Sequence, residues 1–442
     1  MKFFIHKLGC PKNDVDADYL AARLIAAGHE PVTDPARADS VIVNTCGFIQ
    51  DAKQESIDTI LELARLKQKG RVQRLYATGC LTQRYGDELL GNMPELDGAF
   101  GLGALDAVAD AVTRASRFRQ VIRQDVRQLA YIDWKNRYLA DQLPYAYVKI
   151  SDGCDRLCSY CAIPQMRGRY RSRPMESILS EARFLADSGK KELILVSQEA
   201  TLWGSDLLGR PGLVDLLSGL DKVSGVEWIR LLYLHPARTN PELIDYLAAD
   251  NKTLCYFDLP LQHVNTELLR SMKRESNRNT IEELLDRIRK RAPQAVLRVS
   301  FMVGFPGETE AHFEELSAFV TEHRFHRLGV FMFSAEEGTV AADLPDQVQE
   351  SVKIRRMDDL MTLQQEIAFD RNNSLIGQTV EVIIDIVDSE SQAVGRTRGD
   401  CPEIDQQVLV SGQNPEVGEI CRVHVDSAEG YDLIATKAAE KI

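Results

Sequence analysis

The stretch CDRLCSYC holds three cysteines in the pattern C-x3-C-x2-C: Cys154, Cys158 and Cys161. Thiolates bind zinc ions and iron–sulfur clusters, and both kinds of site usually take four protein ligands. The surrounding sequence supplies no fourth ligand, because no histidine occurs between His29 and His235, and a structural zinc would need a remote partner such as Cys255. A cluster held by three thiolates keeps one iron open for an outside ligand, and reactive chemistry takes place at open metal positions. The pattern therefore favours a reactive cluster over zinc in a non-catalytic binding protein.

A second set of cysteines lies in the phrases LGCPKN, NTCGFI and TGCLTQ: Cys10, Cys46 and Cys80. Each follows an apolar run that is typical of a buried strand, namely FFIHKLG, SVIVNT and RLYATG. Strands that alternate with helices form parallel sheets, so we expect the three strands to end at one rim and to place the thiols there. The alternative is three ordinary buried cysteines, since free cysteine is often buried. Their position in glycine- or asparagine-containing turns favours a binding site.

The first part of the chain alternates such strands with amphipathic helical patterns, for example Asp14 to Ala27 and Asp51 to Gln68. This alternation predicts an N-terminal parallel α/β domain over residues 1–117. Residues 118–143 are charged and aromatic without a clear period, which predicts a connector between domains.

From Tyr145 onwards, six apolar runs predict strands separated by helical segments: AYVKIS, ELILVSQ, VEWIRLLYL, LCYFDLP, VLRVSFMVG and LGVFMFS. Six βα units fit a partial TIM-like (β/α)6 barrel, whose functional face is the C-terminal end of its strands. A long helical pattern over 348–372 closes this predicted domain, residues 140–372. Shorter β-rich runs then predict a small five-stranded barrel over 375–442. The predicted fold class is α/β with this β-barrel as a third domain.

Composition limits the possible partners of the chain. The 442 residues carry a formal net charge of −13, and residues 377–442 hold five Lys or Arg against thirteen Asp or Glu. This charge opposes binding of a phosphate backbone, so we do not expect tRNA as a partner. No stretch approaches the roughly 20 apolar residues of a membrane-spanning helix, so we expect a cytoplasmic protein without a membrane contact. Nine cysteines spread over a long chain do not indicate a disulfide framework.

The C-x3-C-x2-C loop resembles the signature of the radical S-adenosylmethionine superfamily, C-x3-C-x-aromatic-C. The N-terminal cysteines resemble those of the methylthiotransferases, a family within it, as do the phrases LVSQEATLWG, LLYLHP, DLPLQHVNTELLRSMKR and VGFPGETE. The resemblance covers nearly the whole chain and implies that the C-terminal barrel is a TRAM domain, which is OB-like. It implies two [4Fe–4S] clusters, an auxiliary one on Cys10, Cys46 and Cys80 and a radical one on Cys154, Cys158 and Cys161.

The same resemblance implies the chemistry. In the family, one S-adenosylmethionine methylates a sulfur bound to the auxiliary cluster, and a second is cleaved to give the 5′-deoxyadenosyl radical, which is chemistry that side chains cannot supply. Tyr160 occupies the aromatic position, which lies near the adenine of S-adenosylmethionine in the superfamily. Gln198 and Arg298, near predicted barrel strand ends, and Gly304, in the turn after a predicted barrel strand, are further candidates for contacts with S-adenosylmethionine.

Two phrases, LGCPKNDVDADYL and CAIPQMRGRYRSRP, resemble the branch of the family that modifies an aspartate in small-subunit ribosomal protein S-twelve. The tRNA-modifying branch usually has a tripeptide closer to QMN where this chain has PKN. An acidic C-terminal barrel also suits a basic ribosomal protein better than tRNA. The resemblance therefore implies methylthiolation of an aspartate β carbon. The alternative is 2-methylthio insertion into a modified adenosine of tRNA.

Other residues have weaker patterns. An arginine follows the cysteine loop at every second position, and in an extended segment these side chains would share one face, either for a carboxylate of the cofactor or substrate or as a solvated edge: Arg167, Arg169, Arg171 and Arg173. We expect packing roles for Cys255, Cys401 and Cys421, and structural hydrogen bonds for His6, His235 and His263. The expected partners are the ribosomal protein, alone or in its subunit, and an electron donor such as flavodoxin or ferredoxin. We expect a monomer.

Overall fold

The structure is a computed structural model of the chain, and it describes residues 1–114, 119–129, 137–388, 392–412 and 415–438. Three units follow one another along the chain: a parallel α/β domain, a partial barrel of parallel strands and a small closed β-barrel. The predicted fold class is confirmed. Within the described ranges, no helix combines the length and the apolar character needed to cross a membrane.

The N-terminal domain is built on one six-stranded sheet with the order β2-β1-β3-β4-β5-β6, in which every pair is parallel. Its strands are β1 (Lys2–Lys7), β2 (Glu30–Pro31), β3 (Ser40–Thr45), β4 (Arg74–Gly79), β5 (Gly98–Phe100) and β6 (Gln120–Ile122). Its helices are α1 (Pro11–Ala26), α2 (Gln50–Gln68), α3 (Cys80–Asn92) and α4 (Leu105–Arg114). Because β1, β3 and β4 are adjacent and parallel, their C-terminal ends meet at one rim.

Two details of the N-terminal prediction were wrong. Strand β6 lies inside the segment that was predicted to be a connector, and it extends the sheet beyond residue 117. A three-residue edge strand is too short to show a period, which is why the sequence did not reveal it. Helix α1 begins at Pro11 rather than at Asp14. Proline is favoured at the first helical position because its fixed φ suits the helix and its missing N–H would have no partner there.

The central domain contains six parallel strands, arranged in two sheets with the orders β11-β10-β7 and β12-β13-β14. An isolated parallel bridge between Ile229 and Thr253 lies where the two sheets adjoin. The six parallel strands are β7 (Tyr145–Lys149), β10 (Glu192–Val196), β11 (Trp228–Leu231), β12 (Tyr256–Gln262), β13 (Val296–Val303) and β14 (Arg327–Met332). Two short strands, β8 (Ser151–Asp152) and β9 (Arg171–Ser172), form a separate antiparallel pair.

Helices cover the outer face of these strands and bury the largest hydrophobic core of the described chain. They are α6 (Met175–Asp187), α7 (Ser205–Leu208), α8 (Leu213–Leu220), α9 (Pro241–Ala248), α10 (Thr266–Ser271), α11 (Arg278–Arg291), α12 (Glu310–His323) and α13 (Glu350–Leu375). Helix α5 (Ile163–Arg167) instead packs its Met166 in a small cluster with Cys80 of the N-terminal domain. The six predicted βα units and the long closing helix are therefore present.

The C-terminal domain is a closed barrel with the strand order β15-β16-β17-β19-β18. Its strands are β15 (Thr379–Val387), β16 (Ala393–Thr397), β17 (Val408–Ser411), β18 (Ile420–Glu429) and β19 (Asp432–Lys437). The segment 398–407, between β16 and β17, contacts the first residues of the central strands: the hydroxyl of Tyr145 donates to Glu403 at 3.0 Å, and that of Tyr256 donates to Asp405 at 2.7 Å. This segment therefore closes the N-terminal end of the partial barrel. Its Cys401 is fully buried in an apolar cluster, as expected for a packing residue.

Candidate active site

The loop with the C-x3-C-x2-C pattern follows β7, at the C-terminal end of the partial barrel. Strands β8 and β9 close the base of this loop by pairing Ser151 with Ser172 and Asp152 with Arg171. Gly153 begins the loop with a φ of +75°, and a Cβ at this position would lie 2.0 Å from the carbonyl oxygen of Arg169. Only glycine allows this close approach and this φ. The loop is thus a closed structure that faces the barrel mouth.

Within the loop the three cysteines lie in partly or fully buried surroundings. Burial raises the pKa of Cys154 to about 11 and that of Cys161 to about 12. The guanidinium of Arg274 lies 3.8 Å from the sulfur of Cys158, and the backbone N–H of Arg156 donates to the sulfur of Cys154 at 3.4 Å. These N–H donors can stabilise thiolates once a metal replaces the protons.

The structure brings the three N-terminal cysteines together at the rim of the parallel sheet. Cys10 precedes α1, Cys46 follows β3, and Cys80 begins α3 after β4. Burial raises the pKa of Cys46 to about 12, and the thiols of Cys80 and Cys10 act in the same direction. Burial also raises the pKa of Cys80, against the opposing effect of the Arg167 guanidinium.

Glycine and asparagine residues hold this second set. Gly9 has a φ of +92°, and a Cβ there would lie 2.7 Å from the Cβ and 2.9 Å from the sulfur of Cys46. The side-chain amide of Asn13 donates to the carbonyl oxygens of Leu8 and Thr45 at 2.9 and 3.1 Å, which joins two of the cysteine-bearing turns. Asn13 belongs to the phrase CPKN, but the sequence alone gave it no role.

Arg167 connects the two halves of the site. It is buried, and its guanidinium donates to Asn13 at 2.7 Å and to Asp152 at 3.0 Å. Asp16 lies 3.3 Å away and completes a pair of carboxylates around this charge. One face of Arg167 therefore contacts the sheet rim with Cys80, and the other contacts the base of the cysteine loop.

The prediction that the four arginines after the loop share one extended face was wrong. Arg167 ends helix α5 and Gly168 turns the chain with a φ of +72°, so the period of two is broken after the first arginine. Arg169 is exposed. Arg171 donates to the carbonyl oxygens of Arg167 and Arg169, and Arg173 is fully buried against Glu181. The charges of Arg167, Arg171 and Arg173 serve internal contacts instead.

Several of the buried polar atoms that lack a hydrogen-bond partner within the described residues lie at the C-terminal ends of the barrel strands: Ser151 Oγ, Ser197 Oγ, Gln198 Oε1, His235 Nδ1 and Gln262 Oε1. Two residues there, Tyr233 and Gln262, have left-handed φ values of 63° and 73°. Strained backbone and unpaired polar atoms concentrate at ligand sites. A polar ligand such as S-adenosylmethionine would satisfy these atoms, so the residues of the mouth fit it, and Gln198 lies where the sequence predicted.

Tyr160 and Gly304 also border the mouth. Tyr160 follows Ser159, whose hydroxyl donates to the carbonyl oxygen of Ser271 at 2.8 Å and anchors the loop. Gly304 follows β13 with a φ of +75°, and its N–H donates to the carboxylate of Glu308. The GFPGETE turn is therefore capped by its own glutamate. Glu308 also lies 3.4 Å from His263, which fits the structural role expected for this histidine.

Arg298 does not lie near the C-terminal end of its strand, where the sequence had predicted it. It is the third residue of β13, five residues before the end of that strand, and it forms ion pairs with Asp258 at 2.9 Å and Asp405 at 3.5 Å. Its guanidinium is thus paired toward the C-terminal domain. The sequence shows the strand but not which domain packs against its alternate residues.

Sequence reasoning also missed Glu199. This buried carboxylate follows β10 and accepts two hydrogen bonds from Arg156 of the cysteine loop, at 2.6 and 2.8 Å. Bidentate pairs of this kind fix geometry as well as adding stability. The phrase SQEA was the available signal.

Each cysteine set offers three thiols with hydrogen-bond donors beside them, and such a donor set fits an iron–sulfur cluster. Among the described residues, no group of three His, Cys, Asp or Glu side chains is arranged around a position for a single metal ion.

Comparison with known proteins agrees with this geometry. Residues 2–101 match the uncharacterized protein family UPF0004, residues 148–320 match the radical SAM superfamily, and residues 376–437 match the TRAM domain. The ribosomal protein uS12 methylthiotransferase RimO of Clostridioides difficile is 42% identical over 435 residues, which is 98% of each chain. RimO of Geobacter sulfurreducens is 44% identical over 430 residues, 97% of this chain and 96% of the relative.

The chain belongs to the RimO family. RimO of Myxococcus xanthus is 44% identical over 436 residues, which are 98% of this chain and 90% of the relative. The radical S-adenosylmethionine methyltransferase TsrM of Kitasatospora setae has the same kind of fold, with a TM-score of 0.56 and 17% identity over 74% of this chain and 72% of TsrM. Both cysteine sets lie inside the matched ranges of the RimO family.

Proposed function

We propose that this chain transfers a methylthio group to the β carbon of an aspartate side chain in ribosomal protein uS12. The observation that carries the proposal is the pair of three-cysteine sets in a RimO family chain, one at the sheet rim and one at the barrel mouth, linked by Arg167. Radical removal of hydrogen and delivery of sulfur require two separate cofactor sites within reach of one substrate carbon.

The proposed cofactors are two [4Fe–4S] clusters and S-adenosylmethionine. The auxiliary cluster would be held by Cys10, Cys46 and Cys80, and the radical cluster by Cys154, Cys158 and Cys161. When bound, these groups supply the radical that removes hydrogen and the methylated sulfur that replaces it. The protein would hold them through thiols that are partly or fully buried.

S-adenosylmethionine is proposed to lie in the barrel mouth. The unpaired oxygens of Ser197 and Gln198 would accept its polar hydrogens, while Tyr160 and Gly304 would border it on the loop and strand sides. Arg298 is left out of this set because its charge is paired within the protein.

Mass spectrometry tests the proposal. In a strain that lacks the gene, uS12 should lose about 46 Da, the mass of a methylthio group in place of hydrogen. The chain should restore this mass, whereas variants with serine at Cys46 or Cys158 should not. tRNA methylthiolation should be the same in all strains. An unmodified uS12 in the complemented strain would contradict the proposal, and a change confined to tRNA would support the adenosine alternative instead.

Four finer points accompany this function. The chain divides into residues 1–117, to which strand β6 (Gln120–Ile122) is added, 140–372 and 375–442, of which the first carries the auxiliary cluster. It acts as a monomer in the cytoplasm. A flavodoxin or ferredoxin supplies the electron. The substrate is basic and matches the acidic charge of the C-terminal barrel, so tRNA is not bound.

A further inference from the structure

Lys12 is a buried cation, and no carboxylate among the described residues forms an ion pair with it. Among the described residues four lysines are buried, and three of them form ion pairs with carboxylates: Lys149, Lys190 and Lys353. Lys12 is only 6% exposed, and no ion pair is found for it in the described part of the chain. An ammonium withdrawn from water without a counter-charge is costly, so its position needs an explanation.

Two contacts hold the Lys12 ammonium in place. It donates to the carbonyl oxygen of Ser197 at 3.0 Å, and it lies 3.7 Å from the centre of the Tyr233 ring. A lysine ammonium has three N–H donors, and the cation–π contact leaves further donors for a ligand. Tyr233 itself is held by its backbone, because its N–H donates to Asp258 at 2.8 Å. The lysine is therefore fixed, with donor capacity remaining.

Lys12 connects the element that follows the N-terminal cysteine set to the strand end beside the other set. It belongs to α1 of the N-terminal domain, two residues after Cys10. Its acceptor Ser197 follows β10 of the barrel, directly before Gln198 and two residues before Glu199, which binds the cysteine loop through Arg156. A substrate atom that both cofactor sites must reach would lie in this region.

We propose that Lys12 binds the side-chain carboxylate of the substrate aspartate and so selects an acidic residue for methylthiolation. This inference rests on the proposed function. The reacting β carbon is bonded directly to that carboxylate, so a cation that connects the elements beside the two cofactor sites would orient the carbon as well as neutralise the charge. Tyr233 is the positioning residue that keeps the ammonium over its ring. Arg167 does not compete for this role, since Asp16 and Asp152 surround it.

Binding measurements test the proposal without turnover. The probe is unmodified uS12, fluorescently labelled, and its version with asparagine at the modified aspartate, titrated anaerobically with the reconstituted enzyme. The wild-type enzyme should bind the aspartate form about tenfold to a hundredfold more tightly than the asparagine form, as expected for a charge-assisted hydrogen bond that is lost. Lys12→Met should bind both forms equally, and Lys12→Arg should keep part of the preference.

Lys252→Met is the matched control, because Lys252 also donates to a backbone carbonyl, that of Val223 at 2.7 Å, but lies away from the cysteine sets. This variant should keep the full preference. A wild-type enzyme without preference, or a Lys12→Met enzyme that retains it, would overturn the proposal.

The same variants separate this proposal from another role for Lys12 and from failure of the proposed function. If Lys12→Met keeps the preference for aspartate but shifts the reduction potential of the auxiliary cluster, Lys12 balances the charge of that cluster and the proposal is wrong. Iron content equal to that of the wild type shows that Lys12→Met has folded. The asparagine form of uS12 tests the contact between Lys12 and the aspartate carboxylate without any change to the enzyme. Failure of the proposed function would be seen separately, as uS12 that the wild-type chain never modifies.

Discussion

Arg298 of the partial barrel and Asp405 of the C-terminal barrel lie 3.5 Å apart, from Nε to Oδ1, across the domain boundary. Arg327 forms a second such pair with Asp400, and Arg396 a third with Glu192 at 2.8 Å. The central-domain members of these pairs, Glu192, Arg298 and Arg327, lie within the first three residues of their strands. The C-terminal domain thus closes the N-terminal end of the partial barrel, and ion pairs join the two domains.

Asp400→Asn should destabilise the protein by about 3 kcal/mol. Asp400 is fully buried and accepts from the Nε of Arg327 at 3.1 Å, so the substitution leaves a guanidinium without its carboxylate. Denaturant unfolding of the apoprotein measures the change. Glu381→Gln is the control, since its pair with Arg398 is exposed and should contribute less than about 1 kcal/mol. If Asp400→Asn lowers the free energy of unfolding no more than Glu381→Gln, the ion pairs between the two domains do not stabilise the protein.

Gly9→Ala should remove the auxiliary cluster and spare the radical one. The added Cβ would lie 2.9 Å from the sulfur of Cys46, and alanine resists the φ of +92°. Iron bound after anaerobic reconstitution should fall from about eight to about four per chain.

Gly28→Ala is the matched control for this glycine. Gly28 has a φ of +84°, but a Cβ there meets nothing within 4 Å, so the variant tests backbone strain alone. It should keep the full iron content. If both variants lose the same amount of iron, general destabilisation and not the contact with Cys46 is responsible.

Arg274→Gln should lower the reduction potential of the radical cluster. The guanidinium lies 3.8 Å from the sulfur of Cys158, and a nearby positive charge favours the reduced, more negative state. Its removal should shift the potential downward by on the order of 50 mV, measured in a redox titration followed by electron paramagnetic resonance. Arg355→Gln, at an exposed ion pair with Glu310, should leave the potential unchanged. An unshifted potential in Arg274→Gln with full iron content would refute the electrostatic role.

Much of the fold could be predicted because local patterns determine it. A parallel sheet brings successive strand ends to one rim, so three cysteines after three apolar runs had to approach one another whatever the details of packing. The loop after β7 was predicted for the same reason, since barrel strands present their C-terminal ends on one face. The six barrel strands were predicted from apolar runs, and the five strands of the C-terminal barrel were predicted from short β-rich runs.

Contacts between domains could not be predicted. Arg298 looked like a cofactor contact because a strand sequence does not reveal that Asp405, over a hundred residues later, packs against it. The arginines after the cysteine loop looked periodic, but Gly168 redirects the chain between them. Lys12 stood in a recognised phrase, yet only the structure shows that it crosses from one domain to Ser197 of the other.

The carboxyl of Asp14, where the three domains meet, makes the stability of the protein depend on pH. Burial raises the pKa of Asp14 to about 6, against the opposing charge of Lys7, and Glu403 of the C-terminal barrel and Asp18 raise it further, while Arg137 lowers it. The unfolded chain binds this proton only below about pH 4. Between about pH 4 and 6 the folded state therefore holds more protons than the unfolded state, and the stability contribution of Asp14 falls as pH rises.

Asp14→Asn should remove this dependence. The variant should match the wild type near pH 4 and become more stable by on the order of 2 kcal/mol above pH 6, because the neutral amide keeps the uncharged state that burial favours. The measurement is the difference in the free energy of unfolding between variant and wild type at several pH values. Asp58→Asn, at an exposed position of α2, is the control for the loss of a carboxylate. A difference for Asp14→Asn that does not change with pH would contradict the prediction.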